Sequence, residues 1–332
     1  MTGRLARVEV RRYLARAGVR WLVIGMVAAV LVTGFAAWRS SRPPTEGDLA
    51  QAQATYELQK TNWEQFGAQL VADCRNTQEQ ARQRDPNADL ACDQMAPTVE
   101  QFLPHRATFA DAAQGWLSQV ATFLLLLSLI VGATFVAAEF STGAMSTWLT
   151  FEPRRGHVFG SKAVVVTLMT GIAALVVSGL AVGVFWAATA INHATGHTTG
   201  RTFTDLGSQS GRIAVATAGA ALLGAALGFL TRHTAAVIAV VIGWLIAIDG
   251  IVLQALMDAP RWGAALNLQA WLSAGYEQTV GITGCITDST GITGCNGTKL
   301  VITMTQAGLA LAALIAVVTA LALVVFRRRD VA

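Results

Sequence analysis

Six long apolar stretches constrain the fold of this chain more than any other feature of its sequence. A helix needs about 20 mostly apolar residues to cross the hydrocarbon core of a bilayer, and each stretch is close to that length or exceeds it. Charged residues make up 13% of the whole chain, against about 25% in soluble domains. The sequence therefore predicts an all-α integral membrane protein with six transmembrane helices, at 21–38, 116–138, 163–191, 213–231, 234–256 and 301–326.

The first stretch follows a basic segment and has two interpretations. A secretory signal peptide has an apolar core of about 7–15 residues and a small-residue cleavage site, whereas 21–38 is longer and precedes no clear site. We therefore interpret it as a retained helix. In 1–20, Val10, Tyr13, Leu14 and Ala17 recur at helical spacing among arginines. This pattern is typical of a basic amphipathic helix lying on an anionic leaflet. A simple positively charged anchor is the alternative.

Basic residues are concentrated in alternate segments between the predicted helices. The segments 1–20, 139–162, 232–233 and 327–332 hold thirteen Lys and Arg residues and four acidic residues, and the rest of the chain holds eleven basic and sixteen acidic residues. Cytoplasmic loops of membrane proteins carry the excess of Lys and Arg. The pattern predicts cytoplasmic termini in a bacterial cell membrane. Only three of the 24 basic residues are lysines, a bias that indicates a GC-rich, actinobacterial source.

The predicted outer segments are 39–115, 192–212 and 257–300, and they contain all four cysteines. The first is long and polar with few helix breakers, which predicts a small, mostly helical extracellular domain. Because disulfides persist outside the cytoplasm, the simplest pairing joins Cys74 to Cys92 and Cys285 to Cys295. The second pair lies in the repeat GITGCITDSTGITGC, which favours a stapled β-like hairpin; a recognition loop is the alternative.

Few patterns point to catalysis or to metal binding. His193 and His197 have i,i+4 spacing, but glycines interrupt the segment and no glutamate accompanies them, as a metalloprotease motif requires. The segment 85–93 lacks the glycine and the final acid of a calcium loop. GHVFGSK, 156–162, does not place its lysine directly after the second glycine, as Walker A does. The sequence therefore predicts no enzyme activity, no metal, no ATP bound by this chain and no nucleic-acid partner.

Two features inside the predicted helices have alternative interpretations. Asp249 is the one charge within an apolar stretch, and an intramembrane acid is a candidate for a transport pathway. Its place toward the outer end of the fifth helix favours a contact with water or with another helix. Gly179–Gly183 and Gly224–Gly228 are small-xxx-small pairs, which mark close helix packing; packing within the chain is favoured over a dimer seam.

The segment 139–162 reads EFSTGAMSTWLTFEPRRGHVFGSK. The small and hydroxyl residues at 141–143 favour a helix break and a new cap after Glu139, and Pro153 ends the short helix that follows. The segment resembles the corresponding part of type-2 ABC-transporter permeases, with a Glu at the end of the second span, a Gly step, a Pro-Arg corner and a Gly-x-Lys entering the third span. The topology resemblance extends over nearly the whole chain. The long first outer segment departs from many relatives.

The resemblance implies the membrane subunit of an ABC exporter, in which this chain and a second copy or a paralogue form the pathway. Separate soluble ATPase subunits would bind ATP and Mg²⁺ and act on a coupling helix at 140–151. The substrate would be an amphipathic drug, lipid or peptide. Met145, Trp148 and Leu149 are expected to face the ATPase, and Arg154, Arg155 and Lys162 to contact lipid phosphates or the partner. The residues implied in coupling are Glu139, Gly143, Met145, Trp148, Leu149, Pro153, Arg154, Arg155 and Lys162.

The sequence is also compatible with three alternatives. In the first, the segment 139–162 is only a cytoplasmic loop whose basic residues reflect the general charge asymmetry of membrane proteins. In the second, the chain is a sensor or an assembly factor that acts through its disulfide-stapled outer domain. In the third, the chain is an ion-coupled transporter. Such proteins use acidic residues or broken helices near the membrane midplane, and Asp249 is the sole candidate residue within the predicted spans.

Overall fold

The computed structural model describes residues 10–11, 13–83, 89–255, 259–287 and 293–329. Within these ranges, six helices are long and apolar enough to cross a membrane. The six-span prediction is therefore confirmed, and the chain is a multi-pass membrane protein. The helices are α1 (Ala17–Ser40), α2 (Glu46–Arg82), α3 (Phe109–Ser141), α4 (Ala144–Phe151), α5 (Arg155–Ile191), α6 (Gly200–Thr231), α7 (Thr234–Gly243), α8 (Ala264–Leu272) and α9 (Met304–Arg328), and the strands are β1 (Tyr276–Thr287) and β2 (Thr293–Ile302).

The spanning helices are α1, α3, α5, α6, α7 with its continuation, and α9, and several extend beyond the predicted apolar stretches. The third begins at Arg155 rather than at 163, and the fourth begins at Gly200 rather than at 213. Thr199 and Thr202 form a capping box at the start of α6, which satisfies backbone N–H groups of the first turn. Polar residues therefore prolong helices whose apolar centres were identified from the sequence.

The core of the bundle is the contact between α3 and α6, where glycines allow the two backbones to touch. A Cβ on Gly132 would collide with the carbonyl oxygen of Ala221, and a Cβ on Gly224 would collide with that of Leu129. A Cβ on Gly228 would lie 3.0 Å from the oxygen of Ala133. Small residues are what such close helix packing requires in a membrane. The pair Gly224–Gly228 therefore packs within the chain.

The other predicted glycine pair behaves differently. No described atom lies within 4 Å of the place where a Cβ would stand on Gly179 or on Gly183. The prediction of close packing at this pair is wrong within the chain, because these two glycines lie on a face of α5 that no described element covers.

Polar contacts tie α1, α3 and α5 together at the end of the bundle that carries α2. Asn192, which follows α5, donates through Nδ2 to the carbonyl oxygen of Trp38 (2.7 Å) and to the hydroxyl of Ser41 (2.8 Å). Arg106, which precedes α3, donates to the carbonyl oxygens of Ser41 (Nε, 2.9 Å) and Asn192. These bonds satisfy carbonyls at the C-terminal ends of α1 and α5, which helix geometry leaves without partners.

The long helix α2 and the chain that follows it form a separate polar unit between α1 and α3. Thr45 and Asp48 make a capping box at its start, and the hydrogen bond from the Thr45 backbone lowers the pKa of the Asp48 carboxyl. A disulfide joins Cys74 of α2 to Cys92, with 5.7 Å between the Cα atoms. The predicted Cys74–Cys92 pairing is thereby confirmed.

The region after α7 contains the main departures from the all-α prediction. The fifth span continues from α7 as a π-helical segment, Trp244–Val252. Strands β1 and β2 form an antiparallel hairpin, in which the backbone of Cys285 lies opposite that of Cys295. The side chains of these two cysteines lie outside the described residues, so their disulfide stays a prediction. Because β2 runs to Ile302 and Thr303 caps α9, the sixth span begins at Met304 rather than at 301.

Candidate functional site

A buried cluster of charges lies where the ends of α3 and α5 meet the chain before α1. The Lys162 ammonium lies 2.9 Å from Oε1 of Glu139 and 2.7 Å from Oε2. The guanidinium of Arg16 donates to the same Oε1. The side chains of Lys162 and Glu139 are 0% and 4% exposed, and that of Arg16 is 26% exposed. Two cations therefore share one carboxylate in a site that is largely closed to solvent.

Arg16 and Lys162 also contact the helix that carries Glu139. Arg16 donates through Nη1 to the carbonyl oxygens of Phe135 (2.7 Å) and Thr134 (3.3 Å). Its guanidinium carbon lies 4.6 Å from the centre of the Phe135 ring, and Nζ of Lys162 lies 5.0 Å from it. A cation over an aromatic face is attracted by the ring quadrupole. These contacts replace part of the hydration that burial removes from the charges.

The basic segment before α1 packs on the bundle through Tyr13. Its ring meets that of Phe135 edge-on, with 5.6 Å between the centroids, and burial raises the pKa of the Tyr13 hydroxyl to about 12. An open groove of about 520 Å³ runs beside the charge cluster, between this segment and the end of α3. Most of its lining residues are alanine, glycine and threonine, with Arg16 and Glu139 among them.

Gly143 turns the chain from α3 into α4. Its φ is +69°, a left-handed conformation that glycine adopts without the penalty of a Cβ and that commonly ends a helix. Helix α4 then runs for eight residues. Pro153 follows its end, and the proline ring prevents continuation of the helix. The predicted short helix between the second and third spans is therefore present, at 144–151 rather than 140–151.

The residues that α4 buries and exposes differ from those predicted. Met145 is 1% exposed and belongs to the main core, and Leu149 packs against that core. Trp148 is half-buried. The exposed apolar residue is Phe151, at 80%. Met145 therefore anchors α4 to the bundle, and the exposed surface of α4 consists of Thr147, Thr150 and Phe151.

The basic residues of the segment have three separate environments. Lys162 is buried against Glu139, so the expectation that it contacts lipid phosphates or a partner is wrong. Arg155 donates through Nη1 to the last carbonyl oxygens of α9, at Phe326 (3.2 Å) and Arg327 (3.4 Å), and to that of Arg329. Arg154 is exposed, as is Pro153. Among the three predicted cations, Arg154 is thus the one whose side chain lies in the open.

Asp249 serves as a cap for a neighbouring helix. Its Oδ2 accepts a 2.7 Å hydrogen bond from the backbone N–H of Ala265, in the first turn of α8, and its Oδ1 accepts one of 3.1 Å from Trp244 Nε1. A carboxylate is favoured at a helix N-terminus by its free N–H groups and by the helix dipole. The Trp244–Asp249 spacing, i to i+5, matches the periodicity of the π-helical segment that contains both. Asp249 therefore makes the helix contact that the sequence favoured.

The remaining candidates add little chemistry. Among the described residues, no group of three or more His, Cys, Asp or Glu side chains is placed to hold a metal ion. His193 and His197 lie in the short connection between α5 and α6. In comparisons with known proteins, no family model, curated protein or solved structure matches this chain.

The sequence did not identify two residues and one contact of this site. Arg16 is one of six arginines in 1–20, and nothing in their spacing identifies the one that reaches Glu139. Phe151 follows a threonine at the end of α4, and its exposure depends on the helical phase that Gly143 sets. The contact of Arg155 with α9 joins residues more than 170 positions apart.

Proposed function

We propose that this chain is the membrane-spanning permease subunit of an ABC exporter, coupled to separate ATPase subunits through α4. The observation that carries the proposal is the position of α4, an eight-residue helix inserted between two spanning helices, anchored by Met145 and exposing Phe151. An exposed phenyl ring beside Thr147 and Thr150 on a short projecting helix is suited to dock in a groove of a soluble protein. The type-2 permease resemblance of 139–162 supports the same role.

The proposed orientation places α4 in the cytoplasm. Arg16, Arg154 and Arg155 lie at the same end of the bundle as α4, together with Arg232 and the basic residues that end α9. Lys and Arg are concentrated on the cytoplasmic side of membrane proteins. Under this orientation both termini are cytoplasmic, and α2 and the hairpin are extracellular.

The contacts of the site link the two spanning helices that flank α4, α3 and α5, to α1 and α9. Glu139 and Lys162 join α3 to α5, Arg16 joins both to the start of α1, and Arg155 joins the start of α5 to the end of α9. A displacement of α4 by an ATPase that closes on ATP would therefore move these ends together. The partner ATPase would supply ATP and Mg²⁺, and the chain itself would catalyse no reaction.

The fifth and sixth spans leave most of their surface for other contacts. Only 11% of the most apolar window of each is buried within the chain, against 56% for α3. A second copy or a paralogue would cover part of this surface and lipid the rest. The proposed substrate is amphipathic, a drug, lipid or peptide, and it would move outward along a pathway formed by the two permease chains in an actinobacterial cell membrane.

The proposal is tested by the ATPase activity that co-purifies with the tagged chain from its own host. Phe151→Asp should abolish the associated activity, because a charge replaces the ring that docks, while the thermal stability of the chain should be unchanged. Leu58→Asp is the matched control, since Leu58 is 71% exposed on α2. Equal ATPase activity with wild type and Phe151→Asp would contradict the coupling role of α4.

A sensor or an assembly factor is the second candidate function. It is favoured by the disulfide-bonded unit around α2, which carries an open groove lined by aromatic side chains. A sensor should keep its output in Phe151→Asp and should lose that output when the groove is altered by Phe66→Ala. These two variants therefore separate the two functions.

A further inference from the structure

We propose that the groove on α2 is a binding site for organic cations with an aromatic or aliphatic body. This inference does not rest on the export function, because it concerns a unit at the opposite end of the bundle from α4. It rests on the shape and lining of the groove, on the glycine that shapes its floor, and on the charge of the surrounding unit.

The groove lies between α2 and the returning chain 95–102. Its floor on α2 is formed by Trp63, Phe66 and Leu70, which share one helical face because they recur three and four residues apart. Met95 and Phe102 line the opposite wall. The cavity has a volume of about 310 Å³, at the lower end of the range for small-molecule sites, about 300–1,000 Å³.

The returning chain is fixed against α2, so the groove does not depend on a flexible loop. The Cys74–Cys92 disulfide joins the two just beyond the groove, and Arg75 pairs with Asp93 at 2.7 Å. On α2, a Cβ on Gly67 would lie 2.6 Å from the Trp63 ring. Glycine at this position therefore lets the indole lie along the helix and form a flat floor.

The lining remains open to solvent. Phe66 is 56% exposed, Leu70 is 47% exposed and Met95 is 39% exposed. The polar side chains that line the groove, Gln59, Asn62 and Gln101, are uncharged amides. An exposed apolar surface rimmed by polar groups marks a binding site more often than a structural one.

The acidic residues of the α2 unit favour a ligand with positive charge. The segment 46–103 contains ten acidic and four basic residues, and one of the four, Arg75, is paired with Asp93. Asp73 is exposed and follows Leu70 on the same helical face, and exposed Glu100 precedes the lining residue Gln101. An acidic surrounding attracts cations, and aromatic faces bind them further. Anionic lipids and fatty acids are disfavoured by the same charge.

The test compares two ions of the same shape and opposite charge, tetraphenylphosphonium and tetraphenylborate. Each is titrated by equilibrium dialysis against the full chain in nanodiscs of zwitterionic phosphatidylcholine, with empty nanodiscs subtracted for partition into lipid. We expect one saturable site per chain for tetraphenylphosphonium, at least tenfold tighter than for tetraphenylborate, and an affinity that falls as salt is added.

Variants locate the site. Phe66→Ala should weaken tetraphenylphosphonium binding at least tenfold, and the double change Asp73→Asn with Glu100→Gln should weaken it several-fold without altering the floor. Leu58→Ala, on α2 outside the groove, should bind like wild type. In every variant, a rate of limited proteolysis within α2 equal to that of wild type reports that the unit is folded.

Two results would overturn the inference. One is equal binding of the two ions above the lipid background, which would show that charge does not select the ligand. The other is undiminished tetraphenylphosphonium binding in folded Phe66→Ala, which would place the site elsewhere. Neither result bears on the ATPase partner, because the isolated chain is used throughout.

Discussion

Lys162 and Glu139 form an ion pair inside the protein, with Nζ 2.7 Å from Oε2 and side chains that are 0% and 4% exposed. They join the third spanning helix to the second at the point from which α4 projects. Arg16 adds a second cation to the same carboxylate. Glu139 is therefore the shared partner of two cations, Lys162 and Arg16.

Replacement of Glu139 should lower the stability of the protein more than replacement of Lys162. Glu139→Ala leaves two cations without their carboxylate, and breaking a buried pair in this way costs about 3–5 kcal/mol of stability. Lys162→Met leaves Glu139 paired with Arg16 and should cost less. Thermal unfolding of the two variants in detergent measures which of them loses more stability.

Arg154→Ala is the control for this comparison, because Arg154 is exposed and surface changes usually stay within about 0.5 kcal/mol. A larger loss of stability for Lys162→Met than for Glu139→Ala would show that the carboxylate is not the centre of the cluster.

Gly132→Ala and Gly179→Ala should have opposite effects on stability. Alanine is favoured over glycine within a helix by about 1 kcal/mol, so Gly179→Ala, which meets no described atom within 4 Å, should be neutral or stabilising. Gly132→Ala should destabilise, because its Cβ would collide with the backbone of α6 at Ala221. Equal effects of the two changes in thermal unfolding would contradict the close packing of α3 and α6.

Cys74 and Cys92 should resist alkylation in the native protein and react after reduction. Their replacement by Cys74→Ala with Cys92→Ala should destabilise the α2 unit by about 2–4 kcal/mol, because the unfolded chain loses a constraint. Mass spectrometry of the alkylated protein gives the first result, and limited proteolysis after α2 gives the second. Immediate labelling of either cysteine without a reductant would rule out the disulfide.

Asp249→Asn should weaken the attachment of α8 without abolishing folding. The amide oxygen retains one acceptor, but the charge that favours the α8 N-terminus is lost, and a net hydrogen bond contributes about 0.5–1.5 kcal/mol. Trp244→Phe removes the second bond and serves as the companion variant. Wild-type stability together with complete loss of transport in Asp249→Asn would instead make Asp249 a residue of the pathway.

The sequence predicted the parts of the fold that composition determines. Six apolar stretches identify six spans, and Pro153 identifies the end of α4, whose start lies at Ala144 rather than at the predicted 140. The partner of Lys162 was not predictable, because Glu139 lies 23 positions away and pairs only when α3 and α5 are antiparallel neighbours. Both Met145 and Phe151 are apolar, and only the direction that Gly143 gives to α4 decides which is buried.

Photo-crosslinking from position 151 in cells of the source organism tests the coupling role of α4 most directly. A photoreactive phenylalanine analogue replaces Phe151 in one variant and Leu58 in another, and the crosslinked proteins are identified by mass spectrometry. We expect position 151 to capture a soluble protein with a Walker A motif, and position 58 not to capture one. Absence of such an ATPase from position 151, in cells where the chain is inserted and its disulfide is formed, would contradict the role of α4 as the coupling helix of an ABC exporter.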